Sequence, residues 1–115
     1  MPRRHNNHGE GRSTESAPLF AALGDRTRLR IVARLCSGGP MSITHLTSGS
    51  RVTRQAISKH LRVLEAAGVV RAKRRGRESL WQLERRRLQE ARRYLDVISG
   101  QWDEALARLR KFVED

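Results

Sequence analysis

The chain has 115 residues, of which 24 are Lys or Arg and 12 are Asp or Glu, so its formal net charge is +12. This length suits a single domain with a modest core, and no stretch approaches the ~20 apolar residues of a membrane span. With one cysteine and no apolar signal region at the N-terminus, we expect a cytoplasmic protein without an intramolecular disulfide. The positive excess favours a polyanionic partner over a membrane, because the basic residues alternate with glycine and polar residues and not with one broad apolar face.

The N-terminal segment, residues 1–16, contains almost no large apolar side chain, which predicts a loose tail. His5 and His8 within it amount to half of a metal site at most. Order is predicted to begin with a short helix from Ala17 to Leu23, with Pro18 in its first turn, where a missing N–H costs little.

A second helix is predicted from Arg26 to about Ser37, with Asp25 as its N-cap and a Gly-Gly-Pro sequence as its end. Its inward stripe is predicted to consist of Leu29, Val32, Ala33 and Cys36. Cys36 is interpreted as a small buried hydrophobic residue, and a redox or intersubunit role stays open.

A helix-turn-helix pattern follows, in which a short helix, Ile43–Thr47, and a Ser-Gly-Ser turn precede a helix of about four turns that ends at Gly68. The apolar residues Ile57, Leu61 and Leu64 recur at helical spacing in the longer helix and are predicted to face the core. Its other side is cationic, which is typical of a helix that lies in the major groove of DNA.

Polar side chains in the first two turns of that longer helix are the predicted base readers, because this end normally reaches base edges. They are Arg54, Gln55, Ser58 and Lys59. Gln can pair bidentately with adenine and Arg with guanine, so Gln55 and Arg54 are the first choices for sequence discrimination. His60 is predicted to pack at the boundary between helices, and contact with a phosphate is the open alternative.

A basic hairpin is predicted next, with strands Val69–Arg74 and Ser79–Leu83 joined by Arg75–Glu78. The apolar residues predicted to contact the core at its base are Val69, Val70, Leu80 and Leu83. Its tip is almost wholly Lys, Arg and Gly, which suits a wing along a DNA backbone. The predicted phosphate contacts are Arg51, Thr53, Arg62, Lys73, Arg74, Arg75 and Arg77. For Arg62 a solvated or intrahelical charge is the open alternative.

A long terminal helix is predicted from about Arg86, because apolar residues recur every seven positions in two registers. Those registers are Leu88, Leu95, Trp102 and Leu109, and Ala91, Ile98, Ala105 and Phe112. Such a helix projects ~40 Å, further than one small domain covers, so part of its seam is predicted to be buried against a second subunit. A two-fold dimer would set two recognition helices ~34 Å apart on an inverted-repeat DNA site.

Two segments, Phe20–Ile31 and Thr53–Val70, resemble the ArsR family of winged helix-turn-helix regulators, and the similarity spans about Leu19 to Leu83. The resemblance implies a homodimeric bacterial transcription regulator, usually a repressor. It also implies dimer contacts from the first helix as well as the last, which adds Leu19 and Phe20 to the predicted interface.

The chain departs from the metal-sensing members of that family. Ser42–Leu46, where paired cysteines would stand, holds one histidine, His45, and no thiol, and the terminal helix holds no histidine. We therefore expect neither a metal nor another cofactor. The residues Trp102–Leu106 resemble members without metal sites, and no polar cluster in the chain identifies an inducer.

Together these features predict a mainly α protein with a small β-hairpin: a winged helix-turn-helix of about five helices, a two-stranded wing and a long C-terminal dimerisation helix. The predicted division is a disordered tail at 1–16, a DNA-binding domain at 17–84 and a dimerisation helix at 85–115. The predicted function is sequence-specific repression of transcription on double-stranded DNA, and the alternative is an architectural DNA-binding or RNA-binding protein with the same basic surface. An enzyme is not expected, since no Ser/His/Asp, Cys/His or paired-carboxylate set occurs at usable spacing.

Overall fold

The structure, a computed structural model, describes the backbone of residues 8–114 and the side chains of residues 16–114. Five helices and three short strands follow one another along the chain. They are α1 (His8–Leu23), α2 (Arg26–Gly38), β1 (Met41–Ser42), α3 (Ile43–Thr47), α4 (Arg54–Ala66), β2 (Val70–Arg75), β3 (Glu78–Leu83) and α5 (Arg85–Glu114). The predicted fold class, mainly helical with a winged helix-turn-helix and a long final helix, is confirmed.

The first helix is longer than predicted. It begins at His8 and not at Ala17, so the predicted tail is wrong over residues 8–16, while residues 1–7, including His5, lie outside the described residues. Pro18 stands inside the helix and not in its first turn. The prediction relied on the lack of large apolar side chains, whereas the small Ser16, the first residue whose side chain is described, is buried. Packing against the core after the proline, by Leu19 and Ala22, holds the helix where one N–H is missing.

Three side-chain oxygens begin three of the helices. The Asp25 carboxylate accepts from the Arg28 amide at 3.0 Å, and the Ser42 hydroxyl accepts from the His45 amide at 3.1 Å. The Thr53 hydroxyl accepts in the same way from the Ala56 amide at the start of α4. Each satisfies an N–H that the helix itself leaves unpaired, and the predicted cap at Asp25 is confirmed.

Arginine side chains donate to carbonyls at the C-terminal ends of α1, α3 and α4. The Arg28 Nε donates to the Ala22 carbonyl at the end of α1, and the Arg87 Nε donates to the Ala67 carbonyl after α4. The Arg34 guanidinium donates to two carbonyls of α3, those of Leu46 at 2.8 Å and His45 at 3.2 Å. Part of the positive charge of the chain therefore has a structural role within the fold.

The helix α2 is rotated relative to the prediction. Ile31 and Leu35 are buried, while Leu29 is 52 % exposed and both Ala33 and Cys36 are exposed. The reason is Arg28, because it lies on the same side of the helix as Ile31 and Leu35, and its bond to α1 turns that side inward. The predicted stripe is therefore wrong for Leu29, Ala33 and Cys36, whereas Val32 packs partly against the core as predicted.

The wing belongs to a three-stranded antiparallel sheet in the order β1-β3-β2. The added strand, β1, pairs Met41 with Trp81. Successive strand residues point to opposite faces, so Trp81 and Leu83 pack on the core side of β3, whereas Leu80 lies opposite Lys73 on the outer side. The predicted core contact of Leu80 is wrong, and Trp81 replaces it.

The final helix extends well beyond the rest of the molecule. It has 30 residues, which corresponds to ~45 Å, and the Cα radius of gyration of 18.6 Å exceeds the ~13 Å typical of a compact chain of this length. Its first turns pack on α1, where the Phe20 and Tyr94 ring centroids are 5.7 Å apart and Ala91 is buried. None of the described helices is long and apolar enough to cross a membrane.

Candidate nucleic-acid interface

The recognition helix α4 has one side fixed in the core and one side in solvent. Ile57, Leu61 and Leu64 are at most 2 % exposed, as predicted. The side chains of Arg54 and Gln55 are exposed at its N-terminal end. Further residues on the outer side are Lys59 and Arg62, which are exposed, and Ser58, which is half-buried. The buried stripe fixes the rotation of the helix, so the outer side chains are presented in one direction.

A contact between α3 and α4 adds a residue that the sequence did not suggest. The exposed Thr44 Oγ1 lies 3.3 Å from an Nη of Arg54 and accepts a hydrogen bond from it. Thr44 stands in the first turn of α3, the helix that crosses the DNA backbone in helix-turn-helix proteins. In the sequence, Thr44 is distinguished only by its place two residues after Ser42, at the start of α3. The fold then brings the start of α3 beside the start of α4, and this creates the contact with Arg54.

Arg51 and Thr53 lie immediately before α4, in the turn of the helix-turn-helix. Arg51 is exposed. The Thr53 oxygen is occupied as the N-cap acceptor, which leaves its hydroxyl hydrogen free to donate to an anion. Both residues stand at the N-terminal end of α4, where the helix dipole also favours negative charge.

The wing presents its cations on two faces. Gly76, with a φ of +63°, and Arg77 form the two-residue turn between β2 and β3. Lys73 and Arg75 share one face of β2, while Arg74 lies on the other face and its Nε donates to the Gly76 carbonyl at 3.4 Å. All four basic residues are exposed.

The predicted DNA contacts carry charges that no acidic partner neutralises within residues 16–114, whose side chains the structure describes. The three ion pairs in that part of the chain are His60 with Asp25, Arg71 with Glu84, and Arg87 with Glu90. None involves a basic residue assigned above to bases or phosphates. An unpaired surface cation exchanges only its hydration and counterions for a phosphate, so this surface is suited to a polyanion.

His60 packs between α4 and the start of α2, as predicted. Its Nδ1 is 3.3 Å from an Nη of Arg28 and 3.9 Å from a carboxylate oxygen of Asp25. The Arg28 amide that donates to Asp25 holds the pKa of that carboxyl below its ordinary value, and a positive charge on His60 acts in the same direction. The outward alternative for His60 is therefore not the arrangement found.

The predicted interface residues of α1 and α5 divide into two groups. Leu19 and Ala91 are buried in the core of their own chain, which leaves little of their side chains exposed to a partner. Phe20 and Leu88 pack partly against the same core, and Ile98 and Ala105 are half-buried. Large exposed apolar side chains continue along α5, among them Leu95, Trp102, Leu109 and Phe112, together with Leu106 and Val113, which the heptad pattern missed.

No cluster of three or more His, Cys, Asp or Glu side chains with the spacing of a metal site occurs among the described residues. His45 is exposed beside the cap of α3, and Cys36 is an exposed free thiol on α2.

A helix-turn-helix with a cationic outer face and a basic wing defines a DNA-binding transcriptional regulator, and comparison with known proteins agrees. Residues 23–72 match the family model described as a helix-turn-helix domain. The HTH-type transcriptional regulator Rv2034 of Mycobacterium tuberculosis is 34% identical over 104 residues, which cover 89% of this chain and 94% of that protein.

Solved structures give the family. An ArsR-like transcriptional regulator from Rhodococcus sp. RHA1 is 36% identical, with a TM-score of 0.75, over 89% of this chain and 95% of the other. The winged helix-turn-helix domain of Mb0332 from Mycobacterium bovis, described as homodimeric, is 20% identical, with a TM-score of 0.62 over 85% of this chain and 87% of the other, and shares the fold. The chain belongs to the ArsR family of winged helix-turn-helix transcriptional regulators.

Proposed function

We propose that this regulator is a homodimeric, sequence-specific repressor that binds an inverted-repeat operator with α4 in the major groove. The observation that carries the proposal is the pairing of a core-anchored inner side of α4 with an outer side whose cations have no acidic partner among the side chains of residues 16–114. A fixed helix presents its donors in a defined geometry, which base readout requires.

Base discrimination is assigned to the N-terminal turns of α4. Arg54 and Gln55 are exposed there, and Lys59 follows one turn later on the same side. Ser58 is half-buried, so its short side chain contributes only where the DNA approaches the helix closely. Thr44 restrains the Arg54 guanidinium, which lowers the entropy that this side chain loses when it meets a base.

Phosphate contacts are assigned to the turn before α4, to the outer side of α4 and to the wing. The residues are Arg51, Thr53, Arg62, Lys73, Arg74, Arg75 and Arg77, all of them exposed. Because Lys73 and Arg75 lie on one face of β2 and Arg74 on the other, a wing that follows one DNA strand uses one of these sets more than the other.

The dimer is assigned to α5, and residues 85–115 are proposed as its dimerisation segment, with 17–84 as the DNA-binding unit. Trp102 is 63 % exposed and Phe112 is 80 % exposed in the single chain, and large apolar side chains that line up in solvent along one helix mark an interaction surface. A second copy of α5 covers such a stripe. The homodimeric domain of Mb0332 has the same fold.

Repression, cytoplasmic location and lack of catalysis complete the proposal. A dimer bound across a promoter excludes the polymerase, and each bound subunit contributes one winged module to the affinity. The helix-turn-helix, the wing and α5 are assigned to DNA binding and assembly, and no reaction is assigned to the chain.

The test is competition between three nucleic acids at physiological salt. A duplex from the protein's own promoter that contains an inverted repeat, a scrambled duplex of equal length and a structured RNA are titrated against the full chain. We expect the inverted repeat to bind at least about 10³-fold more tightly than the scrambled duplex. Equal affinity for the two duplexes would favour an architectural protein, and tighter binding of the RNA would favour an RNA-binding one.

A further inference from the structure

A cavity of about 350 Å³ lies between α2 and the turn that precedes α4. This volume is at the lower end of the range of small-molecule sites. Its floor is apolar and includes Ile31, Leu46 and Ile57, all of them core residues. The cavity therefore offers an apolar surface beneath the turn that precedes α4.

The rim of the cavity is cationic. Arg30, Arg34 and Arg51 line it. Arg34 is held in place by the carbonyls of α3, whereas Arg30 and Arg51 are exposed and have no hydrogen-bond or ionic partner among the described side chains of residues 16–114. Guanidinium groups pair with carboxylates in a planar, two-bond geometry, so free arginines above an apolar floor match a ligand with one anionic end and a short apolar body.

The position of the cavity links it to DNA binding. Residues 49–52 of the turn line it, and the next residue, Thr53, is the N-cap of α4. Arg51 is also assigned above to a phosphate. A carboxylate held by Arg51 competes with that phosphate, and by linkage the bound DNA weakens the ligand by the same factor.

We propose that this cavity is an effector site for a small amphipathic carboxylate, and that its occupation lowers the affinity for the operator. The effector role rests on the DNA-binding function proposed above, but binding of the ligand does not. The two parts are therefore tested separately.

The first experiment measures binding without DNA. Octanoate is titrated into the full chain and followed by backbone amide chemical shifts, with octanol as the uncharged probe of the same length. Saturable shifts are expected at residues 49–52, with octanol at least about tenfold weaker, because octanol lacks the charge-assisted hydrogen bonds. Equal binding of the two probes, shifts confined to the exposed stripe of α5, or no saturable shift would each overturn the proposal.

Two variants sharpen that experiment. Arg30→Gln removes one cation of the rim and is expected to weaken octanoate about tenfold. Arg26→Gln removes an equally exposed cation of α2 that does not line the cavity, and it should leave octanoate binding within about twofold. An equal effect of the two variants would show that octanoate responds to net charge alone and would refute the site.

The second experiment adds operator DNA. Octanoate should weaken operator binding by the wild-type chain and have at least about tenfold less effect on Arg30→Gln, whose DNA affinity without octanoate should remain near that of the wild type. Octanoate bound at residues 49–52 without any change in operator affinity would refute the effector role. Failure of the chain to prefer any operator would instead refute the proposed function and leave the binding result standing.

Discussion

The recognition helix α4 and the terminal helix α5 are both amphipathic, yet they differ in what covers their apolar sides. The inner residues of α4 are buried by their own chain: Leu61 and Leu64 have no exposed surface at all. The apolar side of α5 is covered only over its first turns, and from Leu95 onward large apolar side chains lie in solvent. Equal periodicity therefore leads to different roles, because one stripe finds its partner within the subunit and the other is left for a second copy.

The largest expected effect comes from a charge on the stripe of α5. Trp102→Glu should weaken the dimer by about 3–5 kcal/mol, since it places an unpaired carboxylate in the proposed subunit contact. Sedimentation velocity at several protein concentrations measures the change. Ala107→Glu adds the same charge on the opposite, exposed side of α5 and should leave the dimer intact. Dimers of unchanged stability in Trp102→Glu would contradict the placement of the interface.

Truncation of one leucine in each helix distinguishes burial within the subunit from burial between subunits. Leu61→Ala in α4 should lower the free energy of unfolding by about 2–5 kcal/mol at every protein concentration, because it leaves a cavity in the core. Leu109→Ala in α5 should lower the unfolding midpoint mainly through the dimer, so that its effect grows as the protein is diluted. Urea titration at two concentrations measures both. Identical behaviour of the two variants would remove the distinction between the helices.

One variant on the outer side of α4 and one in the wing distinguish base readout from phosphate contact. Gln55→Ala should reduce preference at one operator position by about 1–3 kcal/mol, because it removes a base contact. Arg75→Ala should weaken all duplexes alike and reduce the salt dependence by about one unit. Fluorescence anisotropy with single-position operator variants, at three salt concentrations, distinguishes them. The opposite pattern would mean that readout and positioning residues have been exchanged.

Thr44 gives a smaller effect. Thr44→Val keeps the shape of the side chain and removes the hydrogen bond to Arg54, which should cost about 0.5–1.5 kcal/mol of operator affinity. A double-mutant cycle with Arg54→Ala measures the coupling between the two residues. If the two losses are simply additive, Thr44 does not act through Arg54.

The smallest effect concerns the cap of α2 and acid pH. The pKa of Asp25 is lowered from 3.8 by the Arg28 amide, so the carboxylate stabilises the fold above pH 3.8, and this contribution is lost as the pH falls through the folded-state pKa. Asp25→Ala should therefore be less stable than the wild type at neutral pH, and the gap should narrow in acid. Thermal unfolding between pH 2 and pH 7 measures it. Asp25→Ser keeps a capping oxygen without a titrating group, so it should be more stable than Asp25→Ala by a margin that does not change with pH. Equal stability of the two variants would argue against a role for the cap.

Local chemistry made much of this fold predictable from sequence. Asp25 and Ser42 start helices through their own side chains, and Gly68 ends α4 with a φ of +79° that other residues rarely adopt. The inner stripe of α4 follows from spacing alone. These features depend on residues within one or two turns of each other, which a sequence displays directly.

What the sequence did not reveal depends on partners distant along the chain. The rotation of α2 is set by the bond from Arg28 to α1, and the short β1 exists only because it pairs with β3. The choice of Trp81 over Leu80 follows from strand register, and a shift of one residue exchanges the two faces. Thr44 entered the site because α3 brings it beside Arg54.

The spacing of the operator half-sites tests the central proposal, two α4 helices held in fixed relation by α5. Five base pairs are inserted between the halves of the inverted repeat, which rotates one half to the opposite side of the duplex, and a control operator receives ten. Binding is predicted to fall to the level of a single half-site with five added pairs and to recover in part with ten, as the halves return to one face. Equal affinity for all three operators would contradict a paired arrangement of recognition helices.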